Sequence, residues 1–222
     1  MPEVICTTVY QFHEFSDAAK EKARSWYREF GPHDDWWDAV YEDFERVCEI
    51  LGIRLKTTPV RLMGRSTRAK PCIWFSGFWS QGDGACFEGY WSHAKGGAMR
   101  IRDYAPTDAM LQGLADRLQA IQRRNFYQVA AEVSHRGRYY HEYTMSVDVT
   151  RDSPTWQSPT EDAEEIVTED AEEIVTEALR DLARWLYRQL EAEYDHLTSD
   201  AAIEEGIIAN AYTFTEGGRR FG

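Results

Sequence analysis

Cys86, Asp83 and His93 are the residues of this chain whose types could support covalent chemistry. They lie in or just after Ile73–Trp91, IWFSGFWSQGDGACFEGYW. A cysteine nucleophile needs its base within about 3 Å of the thiol. His93 would have to be that base, with Asp83 a loop acid or base. The pattern also has a plainer reading. Cys86 follows the Gly-rich loop and starts an apolar strand, the usual setting of a buried, inert thiol. Gly82-Asp83-Gly84 is tight-turn sequence. Phosphate-cradling loops lead into a helix N-terminus, whereas this one joins two strands. The stretch therefore reads as a β-hairpin with aromatic arms, and Trp79 and Trp91 are its candidate partner contacts. His135 and His141, placed on the two arms of a later hairpin, supply two metal ligands with no third at ligand spacing. Neither a metal nor a cofactor is expected.

Charge provides a second set of candidates. The 222 residues carry a net charge of −13, and residues 161–205, with 16 carboxylates and three arginines, account for all of it. Glu164, Glu165, Glu172 and Glu173 lie at the start of this segment. They would favour a helix N-terminus electrostatically and would present a phosphate-like surface to a basic partner. A solvated acidic face is the alternative. The opposite asymmetry runs from Arg54 to Lys70, six basic residues with no acidic one. There Arg61, Arg65 and Arg68 would contact RNA or single-stranded DNA. A solvated loop, or one docked on the acidic helix, is the competing reading.

The elements that must position these groups follow from periodicity. A strand is expected over Glu3–Phe12, then a helix from Ser16 to about Phe30. A second helix carries Trp37, Val40, Tyr41, Phe44, Cys48 and Leu51 as its apolar stripe and stops at Gly52. Ile53–Thr58 reads as a strand, the basic stretch after it as a loop, and Gly96-Gly97 as a break. Thr107 is placed to cap a helix through Leu111, Leu114, Leu118 and Ile121. Phe126–His135 and Tyr139–Thr150 form the clearest hairpin, with apolar residues at odd positions and polar ones at even positions. Residues 152–160 read as a linker and 161–208 as an acidic helical segment. Ala211–Thr215 would close the sheet. TEDAEEIV occurs twice in tandem, at 160–167 and 168–175, and lengthens a helix start. The fold expected is a single α+β domain over 1–222, an antiparallel sheet with helices on one face. No run approaches the ~20 apolar residues of a membrane span. The first residues lack a signal-peptide pattern, and the four separated cysteines form no C-x-x-C. A cytoplasmic protein is expected.

Several stretches carry a resemblance: DAAKEKARSWYRE, TTPVRLMG, IWFSGFWSQGDGACFEG, IRDYAPTDAMLQGLADRLQAIQRRNFYQ and LYRQLEAEYDHLTSDAAIEE. Through them the chain resembles small proteins of tailed phages, prophages and mobile elements that bear the label "antitoxin of toxin–antitoxin stability system". The tandem octapeptide departs from that pattern. The resemblance implies a non-enzymatic protein that binds and neutralises a host protein, either an immune nuclease complex, as anti-CRISPR proteins do, or a toxin. It implies no catalytic residues. A host protein or a protein–nucleic acid complex is thus the expected partner, with no membrane. A Cys86-dependent enzyme and a phage RNA- or single-stranded-DNA-binding accessory protein are the alternatives.

Overall fold

The computed structural model describes residues 7–29, 35–61, 67–151 and 169–221. Its helices are α1 (Asp17–Glu29), α2 (Asp38–Leu51), α3 (Gly97–Tyr104), α4 (Ala109–Arg124), α5 (Glu169–Thr198) and α6 (Asp200–Ala209). Its strands are β1 (Ile53–Leu55), β2 (Thr57–Arg61), β3 (Thr67–Pro71), β4 (Ile73–Phe75), β5 (Ala85–Phe87), β6 (Gly89–Trp91), β7 (Val129–His135) and β8 (Met145–Arg151). The fold is mixed α+β and every described ladder is antiparallel. By its contacts the chain divides into a unit of residues 1–38 and 190–222 and a larger unit of residues 39–189.

The smaller unit is built on aromatic packing. Phe12, Phe15, Ala19, Ala23, Ile203, Ile207 and Phe214 form its core. Phe15 and Trp26 each meet the Phe214 ring edge-on at 5.5 Å, the geometry that ring quadrupoles favour. Arg24 joins α1 to α6 through Glu204 at 2.5 Å. Where strands are expected at each end, the described residues form two isolated bridges, Tyr10 with Phe214 and Phe214 with Arg220. Residues 7–9 carry no regular structure. At Phe12–Glu14 the chain turns into a 3-10 helix, held by the Glu14 carboxylate accepting the Gln11 N–H at 2.7 Å. Residues 3–6 of the expected strand lie outside the described residues.

In the larger unit α2 buries Tyr41, Phe44, Val47, Cys48, Ile50 and Leu51. Gly52 ends it at φ +85°, where a Cβ would sit 2.3 Å from the Ser92 carbonyl oxygen. Only glycine can stop the helix there and start β1 one residue later. The principal sheet has the order β1-β6-β7-β8. Its register pairs Ala131 with Val149 and Val133 with Val147 on one face, and Glu132 with Asp148 and Ser134 with Ser146 on the other. The odd-and-even alternation of the sequence is thus realised within β7 and β8, but both arms are shorter than expected, and Tyr127 and Tyr143 lie outside the strands and are exposed. The helices lie on the odd face: Trp91 of β6 donates its indole N–H to the Leu51 carbonyl of α2 at 3.1 Å. Gln122 of α4 donates to the Val129 carbonyl at 2.6 Å.

Three ladders meet at a single point. The Lys56 N–H donates to the Glu88 carbonyl at 2.9 Å, Cys72 N–H to Lys56 at 2.7 Å, and Glu88 N–H to Cys72 at 2.9 Å. From this closed ring of main-chain hydrogen bonds, β1/β6, β2/β3 and β4/β5 extend as separate antiparallel pairs. The aromatic hairpin is therefore real but shorter than expected. Ile73 pairs with Phe87 and Phe75 with Ala85. Beyond Glu88 the chain changes partner, and β6 joins the principal sheet.

The helices bring smaller corrections. Gly96-Gly97 does not simply break the chain: Gly96, at φ +72°, leads into α3. The cap of α4 is Asp108 rather than Thr107. One Asp108 carboxylate oxygen accepts the Leu111 N–H at 2.9 Å and the other accepts the Trp185 indole at 2.6 Å. In α5, Ala171, Val175, Ala178, Leu179, Leu182 and Leu186 are fully buried. The second octapeptide copy thus supplies packed residues. The first copy and the 152–160 linker lie outside the described residues.

Candidate functional site

Of the candidate catalytic residues, Cys86 and Asp83 are engaged in building the fold, whereas His93 lies at the surface. Cys86 is fully buried in β5. Burial pushes its thiol up to about 12, only partly opposed by hydrogen bonds from the His141 main chain and the Thr144 side chain. A thiolate, the form that attacks, is disfavoured there at neutral pH. His93 is exposed, and its ring lies 4.5 Å from that of Tyr127. The Asp83 carboxylate accepts the N–H groups of Trp79 and Ser80 at 3.0 and 2.6 Å. Ser76 closes the same loop by donating its N–H to the Gly84 carbonyl at 3.0 Å and accepting the Gly84 N–H at 3.1 Å. Asp83 therefore clamps a turn. Here the turn reading of the Gly-rich loop accounts for the residues.

The two histidines do not form a ligand pair across a hairpin. His135 Nε2 lies 2.8 Å from the Tyr139 carbonyl. His141 is not in a strand. It caps a 3-10 helix over Glu142–Thr144, accepts the Tyr143 N–H at 3.2 Å and lies 3.0 Å from Glu142. Among the described residues no group of three His, Cys, Asp or Glu could hold a metal.

The two tryptophans proposed as contacts separate. Trp79, at the loop tip, is 77% exposed; Trp91 is 1% exposed. Trp91 faces the helices because β6 alternates, which leaves Tyr90 on the open side. It is a core residue and not a partner contact.

The basic stretch is the largest correction. Where a loop was expected, β2 and β3 form an antiparallel ribbon from Thr57 opposite Pro71 to Arg61 opposite Thr67. Every residue of the ribbon is exposed except Pro71, which is half-buried. Val60 and Thr58 lie opposite Arg68 and Lys70, so these four share one face. Arg61 lies on the other. Arg65 falls outside the described residues. At the ribbon's base Lys56 pairs with Glu88 at 2.9 Å. Burial works against the Glu88 carboxylate, yet Lys56 and the His135 N–H outweigh it and hold Glu88 below the usual carboxylate range. Lys56 thus anchors the ribbon, and Arg61, Arg68 and Lys70 extend beyond it.

On the acidic side, Glu172 and Glu173 are exposed near the start of α5, while Glu164 and Glu165 lie outside the described residues. Further along α5 the carboxylates become structural. Arg184 donates to Glu177 at 2.7 Å, to Asp181 at 2.6 Å and to Glu142 at 3.0 Å.

One surface was not singled out from the sequence. Arg54, Tyr90, Glu132 and Asp148 lie in one register row across the open face of the sheet. The Arg54 guanidinium sits over the Tyr90 ring at 5.3 Å. Beside this row a groove of about 450 Å³ is lined by Tyr90, Ser92, His93, Tyr127, Gln128, Val129 and Ala130. The tetrapeptide Arg123-Arg124-Asn125-Phe126, cationic and then aromatic, was the available signal. It is masked because Tyr127 continues the alternation of β7.

No helix of the described residues is long and apolar enough to cross a membrane. No curated protein and no solved structure matches the chain. Residues 36–200 match a family model, "Domain of unknown function (DUF8835)", which takes in the principal sheet, the ribbon and the groove, and the chain belongs to that family.

Proposed function

We propose that the chain is a non-enzymatic binding protein of the bacterial host cytoplasm that engages a host protein–nucleic acid complex through its nucleic acid. The basic ribbon carries this reading. Arg61, Arg68 and Lys70 project from paired strands that bury almost nothing and hold no carboxylate. A two-stranded ribbon is narrow enough to follow a nucleic-acid groove or strand, and its cations neutralise phosphates. The net charge of −13 disfavours indiscriminate attraction to nucleic acid, so the contact is local and sensitive to salt. The resemblance to phage and mobile-element proteins supplies the host side: association would neutralise an immune nuclease complex or a toxin.

Binding of labelled oligouridine and oligothymidine by the full chain tests this. Arg61, Arg68 and Lys70→Glu should weaken binding at least about tenfold. Loss of three phosphate contacts should also flatten the plot of log K against log salt by about two. Glu172 and Glu173→Lys should leave binding intact or tighten it. If wild-type protein binds neither oligonucleotide, the reading fails. If inhibition of the host complex is instead lost with the Glu variants alone, the acidic start of α5 is the contact.

A further inference from the structure

We propose that the groove beside Tyr90 and Tyr127 is a stacking site for an unpaired base of single-stranded nucleic acid. This rests on the preceding reading and narrows its ligand from any phosphate backbone to single strands.

Phe126 and Tyr127 are bulky, non-glycine residues at φ +54° and +64°. Such conformations are disfavoured and persist only where the surroundings enforce them. Here the Tyr127 N–H donates to the Gln122 carbonyl at 2.7 Å, and Asn125 is fixed to the end of α4 by its N–H and side chain. The result is not burial. Phe126 is 73% exposed and Tyr127 50%. Neither ring joins the core, and of the two it is Tyr127 that lines the groove.

The groove has the composition such a ligand needs. Tyr90, His93 and Tyr127 present rings, while Ser92 and Gln128 bring hydrogen-bonding side chains. Its volume, about 450 Å³, falls in the range of small-molecule sites and accommodates a base with its sugar. Cations lie close in sequence to both lining segments: Arg123 and Arg124 precede Phe126, and Lys95 follows His93. All three are exposed. Arg54 on Tyr90 adds a fourth. Beyond Tyr90 the row turns acidic at Glu132 and Asp148, which repels a phosphate backbone and confines the strand to the β1 side. β1 runs through Lys56 into β2, so the ribbon leaves from the Gly89 end of β6, beyond Arg54 and away from Ser92 and His93 of the groove. Stacking on aromatic side chains tolerates any base, because every base has a π-face.

The test pairs chemistry on the ligand with substitutions on the protein. The probes are an oligouridine 12-mer, the same length of abasic backbone, and a 12-base-pair duplex, each bound to the full chain. Tyr90→Ala and Tyr127→Asn, the latter chosen because Asn accepts positive φ, should each weaken oligouridine about tenfold and leave the abasic strand unchanged. Tyr90→Phe should restore binding. A 2-aminopurine strand should be quenched by wild-type protein and not by Tyr127→Asn. Thermal melting of each variant separates a lost contact from a lost fold. Equal weakening of the abasic strand, or no quenching, overturns the stacking site while ribbon-dependent binding would still stand. Preference for the duplex overturns it as well. Failure of all three probes to bind removes the underlying reading too.

Discussion

The β2/β3 and β4/β5 pairs leave the same junction and have opposite fates. In β4/β5, Ile73, Ala85, Cys86 and Phe87 are buried, and Phe87 meets Phe44 of α2 at 5.4 Å. In β2/β3 nothing is buried. Antiparallel pairing alone is marginal in water, so a hairpin needs a partner surface or a neighbour to hold it. The first pair has an apolar partner. The second is held at its base by main-chain bonds and the Lys56–Glu88 ion pair. Main-chain pairing fixes the direction of each ladder. Side-chain composition decides whether it becomes core or surface.

The contrast is sharpest at Phe87. Phe87→Ala should cost about 3–5 kcal/mol, since the side chain is fully buried and a cavity remains. A shift in the urea midpoint at constant slope measures it. A cost below about 1 kcal/mol would break the comparison by showing the β4/β5 face to be loosely packed.

Cys86 gives the next largest effect, as a pH dependence. Its thiol is raised to about 12 in the fold, against about 8.5–9 in an unfolded chain. The unfolded state therefore releases the proton first. The contribution of Cys86 is full below pH 9 and is lost as pH rises toward 12, with a slope approaching about 1.4 kcal/mol per pH unit. Cys86→Ala should flatten the stability profile over that window relative to wild type. Identical profiles would place the thiol in contact with water.

The smallest effect belongs to the ribbon. Arg68→Ala and Val60→Ala should each change stability by no more than about 0.5 kcal/mol, as exposed substitutions do. A larger loss on thermal melting would show that the ribbon packs on something.

The sequence was most legible where the signal was local and long. The stripe of α2, the odd face of β7 and β8 and the face of α5 all rest on several turns or rungs of repeating pattern. It was least legible where a strand of three residues changes partner. Nothing in FEG distinguishes Phe87, paired with Ile73, from Gly89, paired with Leu55 and Val133. Trp79 and Trp91 are the same residue type and differ only in which way the backbone turns them. The groove was hidden by Tyr127, whose place in the alternation imitates a strand while its positive φ belongs to a turn. Arg61 and Arg68 read as candidate contacts but not as parts of a ribbon, because Pro59 and the glycine at position 64 argue for a loop in any local reading. Pro59 is tolerated because the ribbon's strands are edges.

The ring joining Lys56, Cys72 and Glu88 is made by backbone atoms alone. Such a joint is indifferent to what grows from it, so long as two strands leave in register. The segment beyond Thr58 and Lys70 can change length and charge without disturbing Cys86 or Trp91. The arm can therefore be changed as a tool is changed in a fixed handle, with the stability of the body left as a separate matter.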